Sequence, residues 1–279
     1  MKWNSVFTPI LVLLLSSVIN IWALGTLPFD QLPISQYWQV LAYRALSAIF
    51  SLIMIKIFAP QALTRLTLHI PVYRWGLVIG VVTFLTLPSL IHSPIGSVSI
   101  SQIIAGIGFT LFIGLDEELF SRGLIFGVFE KFGTGLAVTV SSLHFGLLHL
   151  TNIFWGGQSW SYTSSQIISA MAFGYLATGL MIFTGSIWIP ILLHALTDLP
   201  SQFDSAPQYS HMVSGNANWV ATLLFSLFYC GIGSLLLFRD SESAKRKFFR
   251  AMTKFGLVEQ PKISRFPEGV EARPGQSVA

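Results

Sequence analysis

Apolar positions in this chain gather into long runs separated by Pro, Gly or polar clusters. Eight runs stand out, at 6–24, 38–58, 74–92, 100–128, 135–154, 165–183, 187–199 and 218–238. About 20 apolar residues carry an α-helix across a bilayer core, so these runs predict membrane-spanning helices. The run from Ile187 to Leu199 is short: at 1.5 Å per residue it reaches about 20 Å, less than the ~30 Å core. Thr184, Gly185 and Ser186 part it from the run before. That interruption predicts a helix break whose backbone lines a cavity or is covered by protein. The expected fold is all-α, a polytopic membrane helix bundle of about eight transmembrane helices with a polar intramembrane cavity.

Composition agrees with the pattern. Hydrophobic residues make up 53% of the 279 residues and charged ones 10%, where a soluble domain carries about 25% charged. The lone Cys230 lies in the last apolar run, which excludes an intrachain disulfide framework and reads as a packing residue. The first run follows Lys2 and looks like a secretion signal, but its apolar stretch is longer than a signal core and further spans follow. It is expected to be a retained span.

Positive charge fixes orientation. Lys2, then Lys56, Arg65 and Arg74, then Lys131, then the tail from Arg239 to Arg273 fall at alternate ends of eight spans, whereas the loops near 26–37, 93–99, 155–164 and 200–217 hold no Lys or Arg. The expected location is the cell (plasma) membrane, multi-pass, with both termini cytoplasmic. The net charge of +4 lies wholly after residue 238, where nine basic residues face five acidic ones. Residues 243–258 interleave Lys245, Arg246, Lys247, Arg250 and Lys254 with Phe248, Phe249, Met252 and Phe255. They suit either a helix lying on an anionic leaflet or a cationic flank that only fixes topology; nucleic acid is not an expected partner. Beyond 258 the composition predicts disorder. The chain divides into N-terminal scaffold helices (1–99), a core (100–199), a loop and last span (200–238) and a basic tail (239–279).

Ionisable residues inside the spans carry the chemistry, because each costs about 2.5–3.5 kcal/mol at a helix centre and therefore faces protein or an aqueous cavity. Asp116, Glu117, Glu118 and Arg122 lie in the fourth run, His144 and His149 in the fifth, His194 and Asp198 in the seventh. Glu118 and Arg122 are i and i+4, one face of a helix, and read as a supporting ion pair. Glu117 is turned about 100° from Glu118 and can face a cavity, where a partly desolvated carboxylate takes a proton from water and returns it. His194 and Asp198 form a second i, i+4 pair. By residue type alone, a catalytic or ion-handling site and a merely structural set of buried polar pairs remain equal alternatives.

These residues resemble the CPBP family of intramembrane proteases, which includes the CAAX-processing type II prenyl proteases. "EELFSR" (117–122) matches EExxxR, "FGLLH" (145–149) matches FxxxH and "HALTD" (194–198) matches HxxxN/D, in that order on successive apolar runs. The resemblance spans about 100–199. It implies a helical bundle with a water-filled cavity and an intramembrane endopeptidase acting on a membrane-associated or lipidated protein or peptide. In that scheme Glu117 activates water, His149 assists it, and His194 with Asp198 serves the oxyanion; Glu118 and Arg122 support them. Asp198 stands where Asn is frequent, and an ionised Asp would repel an oxyanion, so it is expected to orient His194. His144 is additional to the motif, about 140° round the helix from His149, and is expected to pack.

Glu117, His149 and His194 are adequate zinc ligands, so a divalent metal is compatible with the site. The HExxH helix of zincins is absent, and a glutamate–histidine mechanism needs no ion. No GxSG serine or GxGD aspartate offers a rhomboid-like or presenilin-like alternative. The expected partners are a peptide or protein substrate and the lipid bilayer. A non-catalytic membrane immunity or maturation factor that binds a secreted peptide, and an ion or solute carrier, are the competing functions. Loop 200–217 is a candidate cover for the cavity.

Overall fold

The structure is a computed structural model that describes residues 7–24, 36–154, 156–203 and 216–240. Among these residues all regular structure is helical. The chain forms α1 (Phe7–Val18), α2 (Gln36–Phe58), α3 (Val72–His92), α4 (Ile100–Glu118), α5 (Thr134–Leu148), α6 (Trp160–Thr184), α7 (Trp188–Asp198) and α8 (Trp219–Asp240). The tail with its 243–258 segment and the greater part of the 200–217 loop lie outside the described residues.

Among the described residues five helices are long and apolar enough to cross a membrane: Trp38–Phe58, Val72–His92, Thr134–Phe154, Trp160–Thr184 and Trp219–Arg239. The protein is thus a polytopic helical membrane bundle. The other three apolar runs take different forms. The first yields a shorter apolar helix, Phe7–Ile21. The fourth begins at a capping box, in which Ser99 and Gln102 satisfy each other's backbone N–H groups. It then runs past α4 through a π-helical turn, Leu119–Ile125, and a further α turn, Phe126–Phe129. Every residue of those two turns is buried. The seventh run is the 11-residue α7.

The break before α7 is built as its sequence suggests. Gly185 adopts a left-handed conformation (φ 74°) that a side chain would strain, and its N–H closes α6 on the carbonyl of Met181 at 2.8 Å. The backbone freed by the break is covered by the segment after α2, a 3₁₀ helix at Pro60–Leu66. Ile187 N–H donates to the carbonyl of Arg65 (2.9 Å), Ser186 Oγ to that of Thr67 (2.7 Å) and Trp188 Nε1 to that of Leu66 (3.0 Å). Arg65 also pairs with Glu130 at 2.5 Å. This end of the bundle carries Lys56, Arg65, Arg74, Lys131 and Arg239.

α6 is the central helix, packed by α5, α7 and α8. Its contact with α8 is close because Gly179 and Gly233 face each other: a Cβ on Gly179 would come 3.1 Å from the Gly233 carbonyl oxygen. α4 packs on α7 and α2, and between those three helices the embedded charges meet.

Candidate active site

Helix rise places the charges at a common depth. Arg44 lies 14 residues before the end of α2, and His149 15 residues after the start of α5, so each stands roughly 21–23 Å from the basic end. Glu117 and Glu118 close α4 at a similar count from Phe132.

Glu118 is fully buried, and its Oε1 accepts two hydrogen bonds: from Arg122 Nη1 at 3.1 Å and from His194 Nδ1 at 2.9 Å. Arg122 is also fully buried, with its guanidinium 4.3 Å from the centre of the Phe145 ring. The same ring stands edge-on to His149 (5.4 Å) and His194 (5.7 Å). Phe145 therefore touches one charged or polar residue from each of the three motifs. His194 is further boxed by Phe173 at 5.3 Å.

Hydrogen-bond partners set the histidine tautomers. An ionised carboxylate and a carbonyl only accept, so His194 carries a proton on Nδ1 toward Glu118, and His149 one on Nδ1 toward the Phe145 carbonyl, 3.1 Å away. His194 Nε2 faces Asp198 Oδ2 at 3.5 Å and Glu117 Oε2 at 3.8 Å. The second distance is too long for a direct bond and suits one bridging water. Glu117 also interacts electrostatically with His149.

Exposure rises across this set. The side chain of Glu118 is 0% exposed, that of His194 8%, Glu117 23% and Asp198 38%. Glu117 and Asp198 thus keep accessible surface, while Glu118 and Arg122 are sealed beneath them.

Arg44 is the residue that reading the sequence misses. Its Nη1 donates to Glu117 Oε1 at 2.9 Å and to Asp116 Oδ2 at 3.0 Å, so Glu117 is not a free carboxyl. Charge balance is the signal that could have found it: three acids beside one Arg122 require a cation from another span. His194 also has a partner beyond its own helix, Glu118. His144 stays apart from the site. Its Nε2 bonds Ser17 Oγ at 2.8 Å and its ring packs on Phe120 at 5.4 Å.

A cavity of about 360 Å³ opens between α3, α4 and α7. Trp75, Val82, Ile107, Leu196 and Leu199 line it, with Ala195, the neighbour of His194, in its wall. Its lining is almost wholly apolar.

Among the described residues no three His, Cys, Asp or Glu side chains are grouped to hold a metal ion. Glu117 Oε1 is taken by a guanidinium and both imidazole Nδ1 atoms by acceptors, which leaves Glu117 Oε2 and the two Nε2 atoms as the donors that would face a cation.

Residues 99–200, about a third of the chain, match the family model described as type II CAAX prenyl endopeptidase Rce1-like. That stretch carries all three motifs, and the resemblance to CPBP proteases is confirmed over it. The match supports a CAAX-type membrane protease acting on a peptide or protein substrate at the bilayer. No curated protein and no solved structure matches the chain.

Proposed function

We propose that this protein is an intramembrane endopeptidase that hydrolyses a peptide bond by water activated between Glu117 and the two motif histidines. The observation that carries the reading is the 3.8 Å gap between Glu117 Oε2 and His194 Nε2, at the one acid of the three in α4 that is both charged-partnered and partly open to water. A water beside that gap donates one hydrogen to Glu117 Oε2, and His149 in its neutral form offers Nε2 as a second acceptor. As its oxygen attacks the scissile carbonyl carbon, the water proton passes to Glu117 and the carbonyl π pair becomes an oxyanion. A proton on His194 Nε2, held between Asp198 and Glu117, is the donor for that oxyanion. Collapse re-forms the carbonyl, breaks the C–N bond and returns the proton from Glu117 to the leaving amine. No step passes through a metal.

The apolar cavity beside His194 supports a lipid-bearing substrate, such as an isoprenylated or acylated peptide, whose chain lies between α3, α4 and α7 while its peptide bond reaches Glu117. In this reading the chain sits in the cell membrane with both termini cytoplasmic, an orientation that the distribution of Lys and Arg supports.

The experiment is cleavage of a fluorogenic peptide bearing an isoprenylated cysteine, paired with comparison of peptide termini in cells carrying wild type or Glu117→Gln. Glu117→Gln and His149→Ala, expressed at wild-type level, are expected to lose turnover by about 10²-fold or more. Survival of the biological function in both would overturn hydrolysis and favour a binding role.

A further inference from the structure

Arg44 belongs to α2, outside the stretch that carries the motifs, and a single one of its nitrogens serves both Asp116 and Glu117. We propose that Arg44 and Asp116 are a positioning pair that assigns Glu117's two oxygens different tasks; the inference rests on Glu117 being the base. Arg44 holds Oε1, and that bond leaves Oε2 toward His194 Nε2, where the attacking water is proposed to sit. Neither Arg44 nor Asp116 touches the reacting atoms.

Asp116 has a separate part. It is buried, and it takes a share of the guanidinium that would otherwise be wholly committed to Glu117. Asp116 fixes where Arg44 presents the shared nitrogen, and that nitrogen in turn keeps Glu117 still. The other ionisable groups around Glu117 are Tyr43 on α2, Glu118 and Arg122 on its own rod, His149 at the end of α5, and His194 and Asp198 on α7.

Two measurements test the pair. The first is kinetic, with the isoprenylated fluorogenic peptide as probe. Arg44→Gln is expected to lower kcat by about 10²-fold with KM within about threefold, the pattern of lost alignment. Arg44→Lys keeps the cation and recovers at least about tenfold of that loss. Asp116→Asn, nearly isosteric, lowers kcat by about tenfold with KM unchanged. A KM effect with intact kcat, or unaltered kinetics in Asp116→Asn and Arg44→Lys alike, overturns the proposal. If Arg44→Gln does not fold, those two conservative variants decide it. The second measurement needs no turnover. In purified wild-type protein the infrared carboxylate bands of Glu117, identified by their loss in Glu117→Gln, report how its two oxygens are bonded. Their splitting is expected to change in Arg44→Gln and to persist in Asp116→Asn. An unchanged splitting in Arg44→Gln refutes the Oε1 contact even if the protein proves to be no peptidase, whereas a changed splitting without cleavage refutes the peptidase reading alone.

Discussion

Gly114 of α4 faces Ile191 of α7 with no room for a side chain: a Cβ on residue 114 would lie 2.8 Å from the Ile191 carbonyl oxygen and 3.5 Å from His194 Cβ. The neighbour is backbone and cannot swing aside. Gly114 therefore sets the separation of the helices that carry Glu117 and His194. Gly114→Ala is expected to push α7 outward, destabilise the protein by about 1–3 kcal/mol and reduce turnover by about 10²-fold through displacement of His194. Gly108→Ala on the same helix, where a Cβ meets nothing within 4 Å, is the control, and equal behaviour of the two variants in thermal unfolding and cleavage would contradict this account.

Glu117 and its sequence neighbour Glu118 separate by burial. Glu118 neutralises a fully buried Arg122 and fixes His194, so Glu118→Ala leaves an unpaired buried cation and is expected to cost about 3–5 kcal/mol. Glu117→Gln faces water and keeps its neighbours paired to one another, so it is expected to unfold near the wild-type temperature while inactive. Thermal unfolding in detergent distinguishes the two.

His144 is expected to matter for assembly and not for chemistry. Its one side-chain hydrogen bond joins α5 to Ser17 on α1. His144→Ala removes that bond, worth about 0.5–1.5 kcal/mol, and keeps turnover per folded molecule within about threefold of wild type. A loss as deep as that of His149→Ala would place His144 in the site after all.

What could be read along the chain and what could not follows from the range of each interaction. Glu118 and Arg122 are four residues apart, and helical periodicity alone puts them on one face; the structure has them 3.1 Å apart. The helix break at Thr184, Gly185 and Ser186 is local in the same way, written in a residue that accepts positive φ. The partners of Glu117 and His194 were not legible, because Arg44 precedes Glu117 by 73 positions and Glu118 precedes His194 by 76. No period relates such pairs, and only the packing of α2 and α7 on α4 creates them. The π-helical turn at Leu119–Ile125 was hidden for another reason: its apolar residues fit an ordinary helix equally well, and the wider turn is set by neighbours that bury all seven of them.

The apolar cavity yields a substrate test. Ile107 lines it from α4 and is 41% exposed, so a larger side chain there can enter the cavity without disturbing the sealed core. Ile107→Trp is expected to raise KM for an isoprenylated peptide by about 10–100-fold, the effect of about 1.4–2.7 kcal/mol of lost apolar contact. The same peptide without its lipid would be cleaved as poorly by wild type as by the variant. Equal KM values for the lipidated peptide in the two enzymes would exclude the cavity as the lipid site.

Orientation can be tested without a substrate. Gly96 lies exposed in the Lys- and Arg-free loop between α3 and α4, and Lys131 lies exposed where the rod continuing α4 turns into α5, so the two residues mark opposite ends of one continuous helical segment. A Cβ on Gly96 meets nothing within 4 Å, which makes a cysteine there tolerable. The exposed native Cys230 is first replaced by Ser. In intact cells a membrane-impermeant maleimide is expected to label Gly96→Cys and to reach Lys131→Cys only after lysis, because the basic end stays on the cytoplasmic side. The opposite pattern would invert the bundle. Site depth then gives the result a functional meaning: Arg44 lies 14 residues from the basic end of α2 but only eight from its other end, so labelling of Gly96→Cys from outside also means that Glu117 draws its water nearer the non-cytoplasmic face.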